Sequence, residues 1–153
     1  MDDVLGYHNF QYIQEEILTP LNLKNTFGSL KEVNIEHVMS GYHIGHPHDL
    51  KTDDHGMHAT AEDVAIFVRA LNDGSVFEKE EKEIYASLYE YEHSGWVPGY
   101  QSFAKYHKDL DAVIVEFYNT TDSKLYNWNI SEIVNNRIEK IIRLKTNKSN
   151  GSN

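Results

Sequence analysis

Apolar residues first recur at helical spacing in Phe10, Ile13, Ile17 and Leu18, after a break at Gly6, and Pro20 predicts that this helix ends near Leu18. A short helix is expected next. Residues 33–56, rich in His, Asp and Gly and without a period, then read as a long loop. Thr60-Ala61-Glu62-Asp63 opens another helix in the manner of a capping box, with Val64, Phe67, Val68 and Leu71 as its apolar stripe and Asn72-Asp73-Gly74 as its stop. The charged residues 78–83 predict a further short helix leading to Tyr85. Beyond it the period drops to that of strands. Runs 87–93, 100–107 and 112–118 are joined by Trp96-Val97-Pro98-Gly99 and Lys108-Asp109-Leu110-Asp111, which suit antiparallel hairpins. The run from Ala112 to Phe117 is the most apolar and is expected to be the best buried. A last helix, to about Leu144, places Ile130, Ile133, Val134, Ile138, Ile141 and Ile142 on one face that is expected to cover the sheet. The pattern therefore predicts an α+β fold: a three-stranded antiparallel sheet covered by a C-terminal helix, preceded by N-terminal helices and a long loop. Residues 1–145 read as a single domain and residues 146–153 as a disordered tail.

Composition narrows the classes. The 153 residues, 40% hydrophobic and 12% aromatic, suffice for one core. A formal net charge of −10, with only one short basic stretch, argues against nucleic acid as a partner, because binding phosphates needs clustered Lys and Arg. Cysteine is absent, which removes disulfides and a thiol nucleophile from consideration. No apolar run approaches the roughly 20 residues of a membrane span. Asp2 and Asp3 stand where a signal peptide would carry its basic region, so the chain reads as soluble.

Two stretches carry candidate chemistry. Ser102-Phe103-Ala104-Lys105 has the Ser-x-x-Lys spacing of serine acyl-transferases. That spacing works on a helix, where one turn brings the amine beneath the hydroxyl, whereas in a strand positions three apart face opposite sides. These four residues lie in a predicted strand, so Ser102 is not expected to be a nucleophile. His43, His46, His48, His55 and His58, with Asp49, Asp53 and Asp54, offer ligands suited to zinc, copper or nickel. The spacing in a loop sets no geometry, and a cleft-lining or solvated loop is the plainer reading, so no cofactor or metal is assigned. Trp96-Val97-Pro98-Gly99-Tyr100 is open to two readings, a ligand-binding aromatic edge or a core Trp beside a hairpin turn.

Three blocks, Pro20-Leu-Asn-Leu-Lys-Asn-Thr-Phe27, the stretch 55–71 (HGMHATAEDVAIFVRAL) and His93-Ser-Gly-Trp-Val-Pro-Gly-Tyr-Gln-Ser102, resemble consecutive parts of the serine β-lactamase-like and penicillin-binding family. That family includes class C β-lactamases, D-Ala-D-Ala peptidases and esterases. The similarity runs from about Gly6 to Asn119. Of the three motifs the family uses, Ser-x-x-Lys, Tyr-x-Asn and Lys-Thr-Gly or His-Ser-Gly, only the third has a counterpart, His93-Ser94-Gly95. Tyr7-His8-Asn9 has the letters of the second, but its distance to Pro20 is too short, and Gly6-Tyr7 fits a later segment of the family. The resemblance implies that His93 and Ser94 contact the substrate carboxylate, that Gly95 makes room along the strand, and that the Trp96 backbone N–H is half of an oxyanion hole.

The chain thus resembles the C-terminal half of such a hydrolase, acting on a β-lactam, a D-Ala-D-Ala peptide or an ester, and is expected to be inactive without the nucleophile motif. The parent family is extracytoplasmic, which leaves the setting of this chain open, and the resemblance implies, if an N-terminal half is present, a small molecule or cell-wall peptide as substrate. The alternative is a non-catalytic binding or interaction module of the same descent. The family's sheet has strands from the N-terminal side, so an exposed sheet edge and self-association through it are expected.

Overall fold

The computed structural model describes residues 9–53, 56–88 and 92–150. Its centre is a three-stranded antiparallel sheet in the order β4 (Glu92–Val97), β5 (Tyr100–His107), β6 (Ala112–Tyr118). The C-terminal helix α4 (Tyr126–Asn150) lies on one face, and α2 (Ala61–Asp73) packs on the other. Before them come α1 (Asn9–Ile13), which continues as a wider π-helical turn (Gln14–Leu18), and three two-residue strands. Of these, β1 (Thr26–Phe27) pairs with β3 (His58–Ala59). β2 (Tyr42–His43) runs parallel to β7 (Thr120–Thr121). The helix α3 (Lys79–Leu88) leads towards β4. The α+β class and the three-stranded sheet under a C-terminal helix are as the sequence pattern indicates.

Local chemistry explains the elements that position the cleft. The Thr60 hydroxyl accepts the Asp63 N–H at 3.2 Å and caps α2, and Gly74 closes it in the left-handed region at φ 77°. Asp63 does not reach back to its own cap. It is buried and accepts the Asn25 N–H and the Thr26 hydroxyl, both at 2.8 Å, which ties β1 to the start of α2. The turn between β4 and β5 is Pro98-Gly99, with Gly99 at φ 90°, a conformation open to glycine at no steric cost. Asp122 accepts the backbone N–H groups of Lys124, Tyr126 and Asn127 and so opens α4.

Five expectations are corrected in detail. Among the described residues between Pro20 and Thr60 there is no α-helix, and the helical turns there are two single 3₁₀ turns (Leu30–Glu32 and Ile35–His37). The first long strand begins at Glu92 and not at Ser87, because the Glu, Lys, Ala and Leu of α3 favour helix through Leu88. β5, not the more apolar β6, is the best-buried strand, since it is the middle one and buries Gln101, Ala104 and His107. The last helix runs to Asn150, past Leu144, with the Thr146 hydroxyl donating to the Ile142 carbonyl. Its Ile residues do not all face the sheet. Val134, Ile138 and Ile142 are half-buried, but Ile130, Ile133 and Ile141 are exposed. The contact beneath α4 is partly polar: Gln101 donates to the Ser131 hydroxyl, Asn135 donates to Glu116 at 3.0 Å, and buried His107 lies 3.7 Å from Glu139.

Three carboxyls at loop ends are held below their usual range. The Arg143 guanidinium does this for Asp109, Arg69 and then the Tyr106 hydroxyl for Asp111, and the N–H of Asn127 followed by those of Tyr126 and Lys124 for Asp122. A depressed folded-state value means that the stabilisation is complete above the unfolded carboxyl range of about 3.9 and is lost as pH falls through the folded values. Thermal melts are therefore expected to be flat in this respect above pH ~4.5 and to fall below it, modestly because solvent screens these groups. In an Asp122→Asn variant the drop is expected to be smaller.

Candidate functional site

The alternation of β4 divides the four residues of the His-Ser-Gly-Trp stretch between two faces. His93 pairs with Ala104 and Gly95 with Ser102, while Ser94 pairs with Phe103 and Trp96 with Gln101. Phe103 stacks on Trp128 of α4 at 4.9 Å and Gln101 bonds Ser131, so Ser94 and Trp96 belong to the α4 face and His93 and Gly95 to the α2 face.

On the α2 face the strands, the loop and the start of α2 enclose a cleft of about 720 Å³. Its floor is made by Gly95 and Val97 of β4, Tyr100 and Ser102 of β5, and Phe117 of β6, and it is also bordered by Trp96, Gln101 and Tyr118, which alternate onto the α4 face. Its far wall is Phe27, Val38, Met39, Met57 and His58, with Lys51 and Asp53 at the rim. Gly95 keeps this floor open: a Cβ at this position would sit 2.9 Å from the Ser102 hydroxyl oxygen, which would have to rotate away. Of the four residues the sequence singled out, Gly95 and Trp96 line the cleft. His93 and Ser94 are exposed and lie outside it, with His93 Nε2 at 3.4 Å from the Tyr85 hydroxyl.

Ser102 and Lys105 behave as a strand requires. The Lys105 ammonium pairs with Glu92 at 2.7 Å on the α4 face, while Ser102 opens into the cleft. Among the described residues Ser102 makes no hydrogen bond to an imidazole, amine or carboxylate. Ser102 is thus, among the described residues, without a hydrogen-bonded base of the kind a serine nucleophile uses. Tyr7 and His8 of the Tyr-x-Asn look-alike lie outside the described residues.

The histidine loop is held by hydroxyls. His43 uses both ring nitrogens, Nδ1 with the Thr121 hydroxyl at 2.8 Å and Nε2 with the Ser123 hydroxyl at 3.2 Å, and stands edge-on to Trp96 at 5.9 Å. Among the described residues no three His, Asp or Glu side chains converge to hold a metal, and His55 lies outside them. The loop is pinned further by the Tyr100 hydroxyl, which donates to the Met39 carbonyl at 2.7 Å, and by Asp49, which accepts the Gly41 N–H at 2.9 Å. Burial, with the Asp49 and Asp53 carboxylates nearby, pushes the Tyr100 hydroxyl up.

Sequence reasoning missed the far wall and Thr121. This fully buried hydroxyl accepts the Gly99 N–H at 2.7 Å while it bonds His43, and so joins the β4–β5 turn to the loop. The only local signal was Thr-Thr-Asp ahead of a helix, which marks a cap but not a clasp.

No protein-family model matches the sequence, and no curated protein matches it significantly. Solved structures do. D-amino acid amidase from Ochrobactrum anthropi SV3 in complex with L-phenylalanine amide is 18% identical, with a TM-score of 0.74 over 94% of this chain and 54% of that one. The same enzyme with D-phenylalanine gives a TM-score of 0.70 over 91% and 56%, again at 18% identity. A D-stereospecific amidohydrolase from Streptomyces sp. is 19% identical, with a TM-score of 0.62 over 78% of this chain and 46% of that one. The chain spans about half the length of the amidases it matches and has the fold of that half.

Proposed function

We propose that the chain is the C-terminal part of an amide-hydrolysing member of the penicillin-recognising superfamily, with β4 as one wall of the acyl-transfer cleft and the nucleophile in polypeptide outside this sequence. The observation that carries this is the position of Gly95 and Trp96 on a cleft of about 720 Å³ in a fold shared with half of a D-amino acid amidase. The register supports it. In a hairpin with a two-residue turn the flanking pair, Val97 and Tyr100, exchanges backbone hydrogen bonds, and the next pair does not. The Trp96 N–H then points away from β5, to the open side of β4, where it is placed to meet charge developing on a substrate carbonyl oxygen. The apolar wall of Phe27, Val38, Met39, Met57 and Phe117 suits the side chain of an aromatic amino acid or its amide, such as the D-phenylalanine and L-phenylalanine amide of the neighbouring amidase structures. His93 and Ser94, outside the cleft, serve as outer contacts for the carboxylate or amide of a longer substrate.

Titration with D-phenylalanine amide, followed by backbone amide NMR, tests the reading. Shifts are expected at Gly95, Trp96, Val97 and Ser102, and their absence at millimolar ligand overturns it. No covalent adduct with a fluorophosphonate is expected in intact-mass spectra, since Ser102 has no base; an adduct mapped to Ser102 refutes that assignment. The lack of a base at Ser102 also favours a second reading, a non-catalytic binding module. The two part on turnover: hydrolysis of the amide once the complementary half is supplied selects the enzyme, and binding without turnover selects the module.

Among the described residues no strand pairs with the outer edge of β6. Unpaired N–H and C=O groups along an apolar strand recruit another strand. Concentration-dependent self-association is expected in sedimentation, abolished by Val115→Pro. A strictly monomeric chain at high concentration counts against it.

A further inference from the structure

The helix α4 carries a second unpartnered surface. Ile130, Ile133, Ile141 and Leu144 are 56%, 52%, 54% and 54% exposed, and with exposed Arg137 they form a single stripe at helical spacing on the side away from the sheet. The stripe is symmetric about Arg137: Ile133 and Ile141 stand one turn either side of it, Ile130 and Leu144 two turns. Arg143, one residue from the stripe, is engaged by Asp109 and Glu139, but Arg137 takes part in none of the ion pairs found among the described residues.

That symmetry decides what fits. A second copy pairing antiparallel through a two-fold axis would match Ile130 with Leu144 and Ile133 with Ile141, but it would set Arg137 against Arg137 at the centre, where like charges repel in a partly dry contact. We propose that the stripe docks an amphipathic helix from a different polypeptide segment, with a carboxylate at its midpoint facing Arg137. The charge of α4 agrees with this. Residues 126–150 hold five Lys and Arg against two Glu, in a chain of formal net charge −10. A source for such a helix is also at hand, because the matched amidases contain about as much chain again with no counterpart here. Only the source of the helix rests on the fragment reading above; the surface and its charge preference do not.

The test uses the full chain and two synthetic helical peptides of about 20 residues, each with a Leu stripe and differing only at the midpoint, Glu in one and Lys in the other. The Glu peptide is expected to shift the methyl resonances of Ile130, Ile133, Ile141 and Leu144 and to bind about tenfold tighter than the Lys peptide. Arg137→Glu is expected to reverse that order, and Ile133→Asp to abolish binding of both without changing the edge-mediated association of β6. Arg137→Ile is expected to turn the stripe into a self-pairing one and yield a dimer. Equal affinities for the two peptides, or shifts confined to other surfaces, overturn the proposal. So does a wild-type dimer that Ile133→Asp abolishes, since it would make a second copy the occupant. Failure of D-phenylalanine amide to bind the cleft would overturn the hydrolase reading and leave these results standing.

Discussion

Replacing Asp63 by alanine is expected to destabilise the fold by about 3 kcal/mol, because two donors then lose a charged acceptor inside the protein. Asp63 is 4% exposed and accepts both the Asn25 N–H and the Thr26 hydroxyl at 2.8 Å. Hydrogen bonds to charged groups contribute about 1.5–3 kcal/mol each, and a buried donor left without a partner costs about 1–3 kcal/mol. Its place in the first turn of α2 adds a favourable term with the helix dipole that alanine also removes. Asp63→Asn keeps one acceptor and is expected to lose about half as much. Urea denaturation of the three proteins at neutral pH decides the matter. A loss under about 1 kcal/mol in the alanine variant would show that water replaces the carboxylate and that β1 is not anchored through it.

The second large effect concerns ligand binding. Gly95→Val is expected to weaken binding of D-phenylalanine amide about a hundredfold, roughly 2.7 kcal/mol. The added Cβ would approach the Ser102 hydroxyl oxygen at 2.9 Å, and the two γ-methyls would occupy the cleft floor between Gly95 and Phe117. Valine suits a strand backbone, so the β4 pairing with β5 is expected to persist. Combining Gly95→Ala with Ser102→Gly relieves the close approach and is expected to bind within about threefold of the parent. Isothermal titration of the three variants is the measurement. Unchanged affinity in Gly95→Val would place the ligand elsewhere on the molecule.

Elements whose signal is local were legible in the sequence. The Thr60 cap and the Gly74 stop follow from side chains within one turn, and the two hairpin turns follow from Pro98-Gly99 and the Lys108 to Asp111 tetrapeptide. Ser102 and Lys105 were separable because a strand's period of two needs no tertiary information. What failed depended on which element neighbours which. The apolar run of β6 predicts burial, but burial goes to the middle of the sheet, and the strand order is not written in the run itself. The Ile-rich face of α4 was read whole as the sheet-facing one, whereas only Val134, Ile138 and Ile142 are half-buried, beside polar contacts to Gln101, Glu116 and His107. Along the cleft, Gly95 and Trp96 come from the His-Ser-Gly-Trp stretch, while the far wall comes from residues 27–58, whose approach to β4 is set by contacts far apart in the chain.

The Thr121 clasp bears on the order of folding. It joins residues separated by 78 positions through His43 and by 22 through Gly99, whereas the two hairpins of the sheet need only neighbours. Closing the longer connection forfeits chain entropy before any contact repays it, so the hairpins form first and the segment from Phe27 to His58 settles against them late. By the same logic this wall is the first to open in the native state, with amide exchange faster there than in β5. A guest in the cleft would then act as a kinetic lock, slowing the release of a flap that is otherwise held at a few points, by Asp63, Thr121 and Tyr100.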